Sequence, residues 1–205
     1  MTRTDIINAL IERYDYQHYL EIGLGNLQNF NLIQAEFRQG VDVKQYEFHG
    51  ENDHFWQGTS DEYFDHTMNA FDLIFIDGDH SLAVSARDML RSFTILNPGG
   101  RIVVHDVLPL TPEQALPEKP SPNAVWCGEV WRNWVEFRRI KNVQSYCVDC
   151  DHGCGVMMRG VNTEPLTGKG PPTVFDYIFS PPRSKWKNSI SPEAFLLKMQ
   201  QPVSQ

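Results

Sequence analysis

The chain has 205 residues, 41% of them hydrophobic and 21% charged, with a net charge of −8 and a pI near 5.3. That length favours one domain with a full core, and the acidic balance argues against general binding to nucleic acid or an anionic membrane, both of which need a basic face. No apolar run reaches the roughly 18 residues that suggest a membrane span, and the N-terminus "MTRTDIINALIERYDY" has no apolar signal-peptide core. The expectation is a soluble, cytoplasmic protein without a nucleic-acid or membrane partner. Four cysteines, Cys127, Cys147, Cys150 and Cys154, are too few for a disulfide scaffold and are expected to be reduced.

Ile6, Ile7, Leu10 and Ile11 recur at helical spacing, which predicts an amphipathic helix over 4–14. "HYLEIGLG" reads as a short strand entering a glycine turn. "NFNLIQAEF" then reads as a short helix. "RQGVDVKQ" predicts a second strand ending at Asp42. "HFWQGTSDEYF" predicts a third strand, with Ser60 capping a helix that begins at Asp61. "FDLIFIDGDH" is apolar on both faces, as a buried parallel strand is. "SLAVSARDMLRSFTIL" is an amphipathic helix stopped by "NPGG", and "RIVVHDV" is the next buried strand.

This alternation predicts βαβ units: an α/β, doubly wound, mostly parallel sheet. "LPLTPEQALPEKPSPN" carries five prolines and reads as an irregular substrate loop or lid. "GEVWRNWVEFRRI" returns to helix. "VQSYCVDC" and "GVMMRG" predict a hairpin closing the sheet with an antiparallel edge. Residues 161–182 read as loop. "SPEAFLLKMQQ", with its Ser cap and Pro at the first helical position, predicts a terminal helix. The expected organisation is a main domain over 1–160 and an extension over 161–205 packed on it.

In an open parallel sheet, ligands bind beyond the carboxyl ends of the strands. The first such end reads Glu21-x-Gly23-x-Gly25-Asn26. Gln28 breaks the dinucleotide fingerprint, and no Gly-Lys-Ser/Thr follows as in a phosphate loop. A phosphate would gain nothing from Glu21. An ammonium would, so the turn suits a cofactor with an amino-acid group. Asp42 ends strand 2 about 20 residues on, where an acid can accept ribose hydroxyls. Ser60 and Asp61 follow strand 3, and Asp77 ends strand 4. The bland alternative is a glycine turn that merely closes a βα unit.

The motifs "LEIGLGNLQNF", "GVDV", "TSDEYF", "DLIFIDGDH", "LNPGGRIVVHDV", "GEVW", "DHGCGV" and "FDYIFSPPRSKWKNSISPEAF" span nearly the whole chain. In them it resembles class I S-adenosylmethionine-dependent methyltransferases, in the bacterial branch that acts on small molecules and sugars. The resemblance implies a Rossmann-like fold. It implies that Glu21, Gly23, Gly25 and Asn26 surround the methionine end of S-adenosylmethionine, Asp42 the ribose, and Ser60 and Asp61 the adenine, with Asp77 alongside. Leu27 stands where the family has a small residue, which would crowd that methionine end. The implied reaction moves a methyl group to a hydroxyl of a small molecule or sugar, and a homodimer is compatible with the family. Rival readings are a nucleotide-binding oxidoreductase and a non-catalytic S-adenosylmethionine-binding module.

Asp77, Asp79, His80, His105 and Asp106 cluster at the ends of strands 4 and 5. Two readings compete with a purely structural one. Either His105 or His80, with Asp106 beside it, is a general base, or Asp77, His105 and Asp106 hold a divalent metal that accepts imidazole. The base is the preferred reading, with His105 ahead of His80 because the strand 5 end is expected to face the crevice. "CVDCDHGC" offers Cys147, Cys150, His152 and Cys154 as a zinc set, but strand alternation sends Cys147 and Cys150 to opposite faces, so no zinc is expected there. Trp126 is a candidate for an acceptor pocket, while Trp131 and Trp134, three apart, read as helix core.

Overall fold

The computed structural model describes residues 1–48, 50–182 and 184–201. Helix α1 (Arg3–Tyr14) precedes β1 (His18–Ile22), β2 (Phe37–Asp42) and β3 (Asp53–Gln57). Helix α2 (Ser60–His66), β4 (Phe71–Ile76), α3 (Leu82–Ser92) and β5 (Leu96–Val104) follow. Then come α4 (Val130–Phe137), β6 (Val143–Val148), β7 (Cys154–Arg159), α5 (Val174–Ile178), β8 (Ser189–Ile190) and α6 (Pro192–Gln200). The eight strands among the described residues form one sheet in the order β3-β2-β1-β4-β5-β7-β6-β8. Strands β1 to β5 are mutually parallel, and β7 runs antiparallel to both neighbours. The predicted doubly wound sheet with an antiparallel edge hairpin is therefore the observed fold.

Strand periodicity sorts the core into two layers. Leu20, Ile22, Ile74, Ile76, Ile102 and Val104 face α3 and α4, packing with Met89, Trp131 and Trp134. Tyr19, Leu73, Phe75 and Val103 face α1, packing with Ile6, Ile7 and Leu10. The residues beyond 160 join these same layers. Tyr177 is buried in the first and Phe195 in the second, both at 0% exposure.

Local chemistry corrects several expected boundaries. The helix expected over "NFNLIQAEF" is only a 3₁₀ turn, Phe30–Leu32. Asn26 Oδ1 accepts from the Gln28 N–H at 3.1 Å and the Asn29 amide turns inward to Glu21, so both side chains compete with helical backbone pairing. The cap of α2 is Thr59 rather than Ser60. Its Oγ1 accepts from Glu62 N–H while the Glu62 carboxylate accepts from Thr59 N–H, a reciprocal capping box. "NPGG" does not merely stop α3; it lies inside β5, where a register shift between Phe71 and Leu73 absorbs the extra residues. The expected loop 161–182 contains α5, capped by Thr173 and Asp176 in the same reciprocal way. Among the described residues no helix is long and apolar enough to cross a membrane.

Candidate active site

A cavity of about 640 Å³ opens beyond the carboxyl ends of β1 to β4. Gly23, Gly25, Asp42, Ser60, Asp61, Asp77, His80 and Asp88 line it, and Trp126 and Lys119 from the proline-rich segment border it. The sequence-predicted glycine turn, ribose acid and strand 3 pair thus share one wall.

The turn after β1 has a steric basis. Gly23 has φ +85°, and a Cβ there would lie 2.2 Å from the Asp77 carbonyl oxygen, so the β1 and β4 ends touch only because the side chain is absent. Gly25 has φ +56° and open space where its Cβ would be. Leu27 also takes a left-handed conformation, φ +65°, but its side chain packs on the α1 layer and does not line the cavity. The expected crowding of the methionine end is not seen. Asn26 is exposed and also lies outside the lining. Asp42 joins two walls: one carboxylate oxygen accepts from Leu24 N–H at 2.9 Å and the other from Lys44 N–H at 2.9 Å.

Glu21 departs from expectation. It shares the α1-facing side of β1 with Tyr19 and is 1% exposed, so it sits beneath the turn rather than in the cavity wall. Tyr19 Oη donates to it at 2.6 Å and Asn29 Nδ2 at 2.9 Å. Burial outweighs these hydrogen bonds and pushes its carboxyl up to about 8. Asp61 lines the cavity but is held by Arg87 at 2.8 Å. Among the described residues neither oxygen of Asp88, on the buried side of α3, has a partner at hydrogen-bond distance, and burial, opposed by the nearby Ser60 hydroxyl, raises its carboxyl to about 6. Sequence reading passed over Asp88. The available signal was a polar stripe, Ser85, Asp88 and Ser92, on the inward face of an amphipathic helix.

The two candidate histidines have different surroundings. His80 lines the cavity and stacks on Trp126, ring centroids 5.1 Å apart at 26°. Its Nδ1 lies 3.1 Å from the Trp126 carbonyl oxygen, and its Nε2 lies 3.4 Å from Asp77 Oδ1 and 3.5 Å from Asp106 Oδ2. His105 continues the alternation of β5 and turns toward the α1 side, 6.1 Å from the Phe75 ring. It is 5% exposed and does not line the cavity, so the strand 5 end does not present it to the crevice. Its Nδ1 lies 3.0 Å from Arg3 Nη1, 3.3 Å from Asp77 and 3.4 Å from Asp106.

Arg3, from the first turn of α1, also reaches Asp77 at 2.9 Å and Asp151 at 3.5 Å. Nothing in the local sequence signals this contact. Burial alone would lower both imidazoles, but the surrounding carboxylates overcome it and raise His80, and raise His105 well above its ordinary value. Burial would raise Asp77, yet His105, His80 and Arg3 hold it well below the usual carboxylate range.

Asp77, His80 and Asp106 bring three ligand atoms within 4.8 Å of one another. Two carboxylates and an imidazole suit a divalent cation. The Trp126 carbonyl at Nδ1 would fix the tautomer that leaves Nε2 free to ligate, as outer-shell partners of metal-bound histidines do. The donor set therefore fits a metal, with His80 in the place expected for His105. Among the described residues the four of "CVDCDHGC" form no single ligand group, although Cys150 and Cys154 meet each other. Cys147 and Cys154 are buried, Cys150 is half-buried, and His152 turns toward Asp106 and Cys127 instead. Trp131 and Trp134 are core, as expected.

A family model for a methyltransferase domain matches residues 12–107. No curated protein sequence matches the chain. Among solved structures, one provisionally assigned as a caffeoyl-CoA O-methyltransferase from Staphylococcus aureus is similar, with TM-score 0.60 and 17% identity over 77% of this chain and 82% of that one. An O-methyltransferase from Bacillus cereus, in complex with S-adenosylhomocysteine, gives TM-score 0.54 and 14% identity over 79% and 82%. The MycE methyltransferase of mycinamycin biosynthesis, in complex with Mg, S-adenosylhomocysteine and mycinamycin VI, gives TM-score 0.51 and 18% identity over 75% of this chain and 48% of that one. At these identities the structural likeness is one of fold.

Proposed function

We propose that this chain, a class I S-adenosylmethionine-dependent methyltransferase, moves the methyl group to a hydroxyl of a small molecule or sugar. The observation that carries the reading is the shared cavity. A glycine turn, a ribose-type acid and the strand 3 pair line it together with Asp77 and His80, and His80 reaches Asp106 beyond the lining. Relatives of the same fold are described as O-methyltransferases.

Bound S-adenosylmethionine supplies a methyl already activated by the sulfonium, so the protein's tasks are alignment and handling of one proton. Asp42 offers its carboxylate to the ribose while its backbone partners hold it in place. Ser60 and Asp61 flank the adenine end. Glu21 acts from beneath, fixing Asn29 and through it the chain after the turn. Trp126 closes the acceptor side over His80.

A histidine base meets a geometric obstacle. Both nitrogens of His80 are engaged, one at a carbonyl and one between two carboxylates, which in the metal-free protein favours the doubly protonated ring and leaves no lone pair for a substrate proton, whereas a divalent cation would displace the Nε2 proton and take its place between the carboxylates. Asp77, His80 and Asp106 instead offer the ligands for a divalent cation, which would bind the acceptor oxygen and lower its pKa.

Calorimetry with S-adenosylhomocysteine and with NAD tests the cofactor, and the expected result is binding of the first alone. Turnover on a panel of hydroxylated small molecules and sugars then tests the reaction, with activity lost to EDTA and restored by one divalent ion. NAD binding would transfer the chain to the oxidoreductase reading. Activity that survives EDTA would return the proton to a histidine.

A further inference from the structure

A second group of potential ligands lies beside the first. Asp106, Cys127 and His152 place one ligand atom each within 4.8 Å of the others. They come from three separate segments: the end of β5, the end of the proline-rich loop, and the turn between β6 and β7. We infer that Asp106, Cys127 and His152 form a binding site for a borderline-soft divalent cation, zinc by ligand type, distinct from the Asp77–His80–Asp106 group. The inference does not depend on methyl transfer.

Three observations support it. The first is the donor set: a thiol, an imidazole and a carboxylate are the ligand types zinc takes, whereas magnesium prefers oxygen alone. The second is an unpartnered group. Among the described residues His152 Nδ1 is buried and meets no hydrogen-bond partner, which is unusual for a buried polar atom and calls for a further contact. The third is conformation. Asp106 and His152, neither of them glycine, both take left-handed backbone, with φ of +61° and +60°, and such strain gathers at functional sites.

The backbone holds each ligand in position before any ion arrives. Leu108 N–H donates to the His152 carbonyl at 2.7 Å, which fastens the β6–β7 turn to the chain leaving β5. Gly153, next in that turn, packs against Leu108 so closely that a Cβ would lie 2.6 Å from its side chain. Cys127 N–H donates to the Gln114 carbonyl at 2.8 Å, and the Cys127 side chain is fully buried. On ligation the Cys127 thiol gives up its proton to solvent and binds as thiolate. Asp106 belongs to both groups, so an ion here would fix the carboxylate that the cavity-side group also uses.

The test is metal content and spectroscopy of the full-length protein, with zinc and with cobalt(II) as a coloured substitute. The expected result is one zinc per chain surviving dialysis, a thiolate-to-cobalt charge-transfer band in the cobalt form, and X-ray absorption with one sulfur at about 2.3 Å. Cys127→Ser should remove the charge-transfer band and weaken zinc at least about 100-fold. His152→Gln should weaken it about 10-fold or more, and His80→Gln should leave this ion bound. A wild-type protein that retains no zinc would overturn the site. So would a cobalt form without sulfur ligation, or an ion kept by Cys127→Ser and lost by His80→Gln. The wild-type absorption spectrum decides the question even where a variant does not fold.

Discussion

His80 and Trp126, 46 residues apart, are joined twice: their rings stack at 5.1 Å, and His80 Nδ1 lies 3.1 Å from the Trp126 carbonyl oxygen. The pair ties the end of β4 to the proline-rich loop and aims Nε2 at Asp77 and Asp106. His80→Ala should therefore lower turnover by roughly 100-fold or more, the scale on which groups acting in the transition state contribute. Affinity for S-adenosylhomocysteine should stay within about threefold, since that interaction lies outside the reacting centre. Near-normal turnover in steady-state kinetics would remove His80 from the reacting centre.

Asp42 carries a different load. Its carboxylate already accepts from Leu24 and Lys44 N–H, so the ribose would meet a prepositioned acceptor. Asp42→Ala should weaken S-adenosylhomocysteine by roughly 1.5–3 kcal/mol, the range for hydrogen bonds to a charged group. Isothermal calorimetry measures this directly, and an unchanged Kd would dismiss the ribose role.

Glu21 should make stability depend on pH. Its folded-state carboxyl titrates at about 8, raised chiefly by burial, against about 4.3 in an unfolded chain. The folded state holds a proton that the unfolded state releases, so this contribution is fully present below about pH 4 and is lost as pH rises toward 8. Glu21→Gln keeps a neutral acceptor for Tyr19 and removes the ionisation. The variant's melting temperature should match wild type near pH 4.5 and exceed it at pH 8. A variant less stable at pH 8 would mean that the carboxylate is ionised and well paired.

Asp88 should act the same way over a lower window. Burial lifts its carboxyl to about 6, so its contribution declines between roughly pH 4 and 6 and is flat above. With no partner at hydrogen-bond distance among the described residues, and with burial outweighing the nearby Ser60 hydroxyl, the ionised form is a net burden at neutral pH. Asp88→Asn should stabilise the ligand-free protein at pH 7 by about 1–3 kcal/mol, the desolvation penalty of an unsatisfied buried group, and do little below pH 4. Chemical denaturation at the two pH values separates the cases, and destabilisation at pH 7 would show a partner for the carboxylate.

Much of this protein could be read along the chain. The near-continuous apolar runs in "YLEI", "FDLIFI" and "RIVV" determined strands buried on both faces, as in a parallel sheet, because successive side chains point to opposite faces and both must then be covered. The Gly23–Gly25 turn and the acids at successive strand ends determined where the cavity lies, because steric freedom and strand polarity are local properties. The same alternation already sent Glu21 and His105 to the α1 side, and it took the packed structure to make that consequence visible. What only the tertiary structure decided were meetings between distant segments. Arg3 reaches Asp77 and His105, the Trp126 carbonyl holds His80, and His152 leaves its cysteine-rich neighbours for Asp106 and Cys127. No short-range pattern specifies such contacts. They depend on how a loop and a hairpin pack over a strand end, and that packing is set by the whole buried core rather than by the residues that meet.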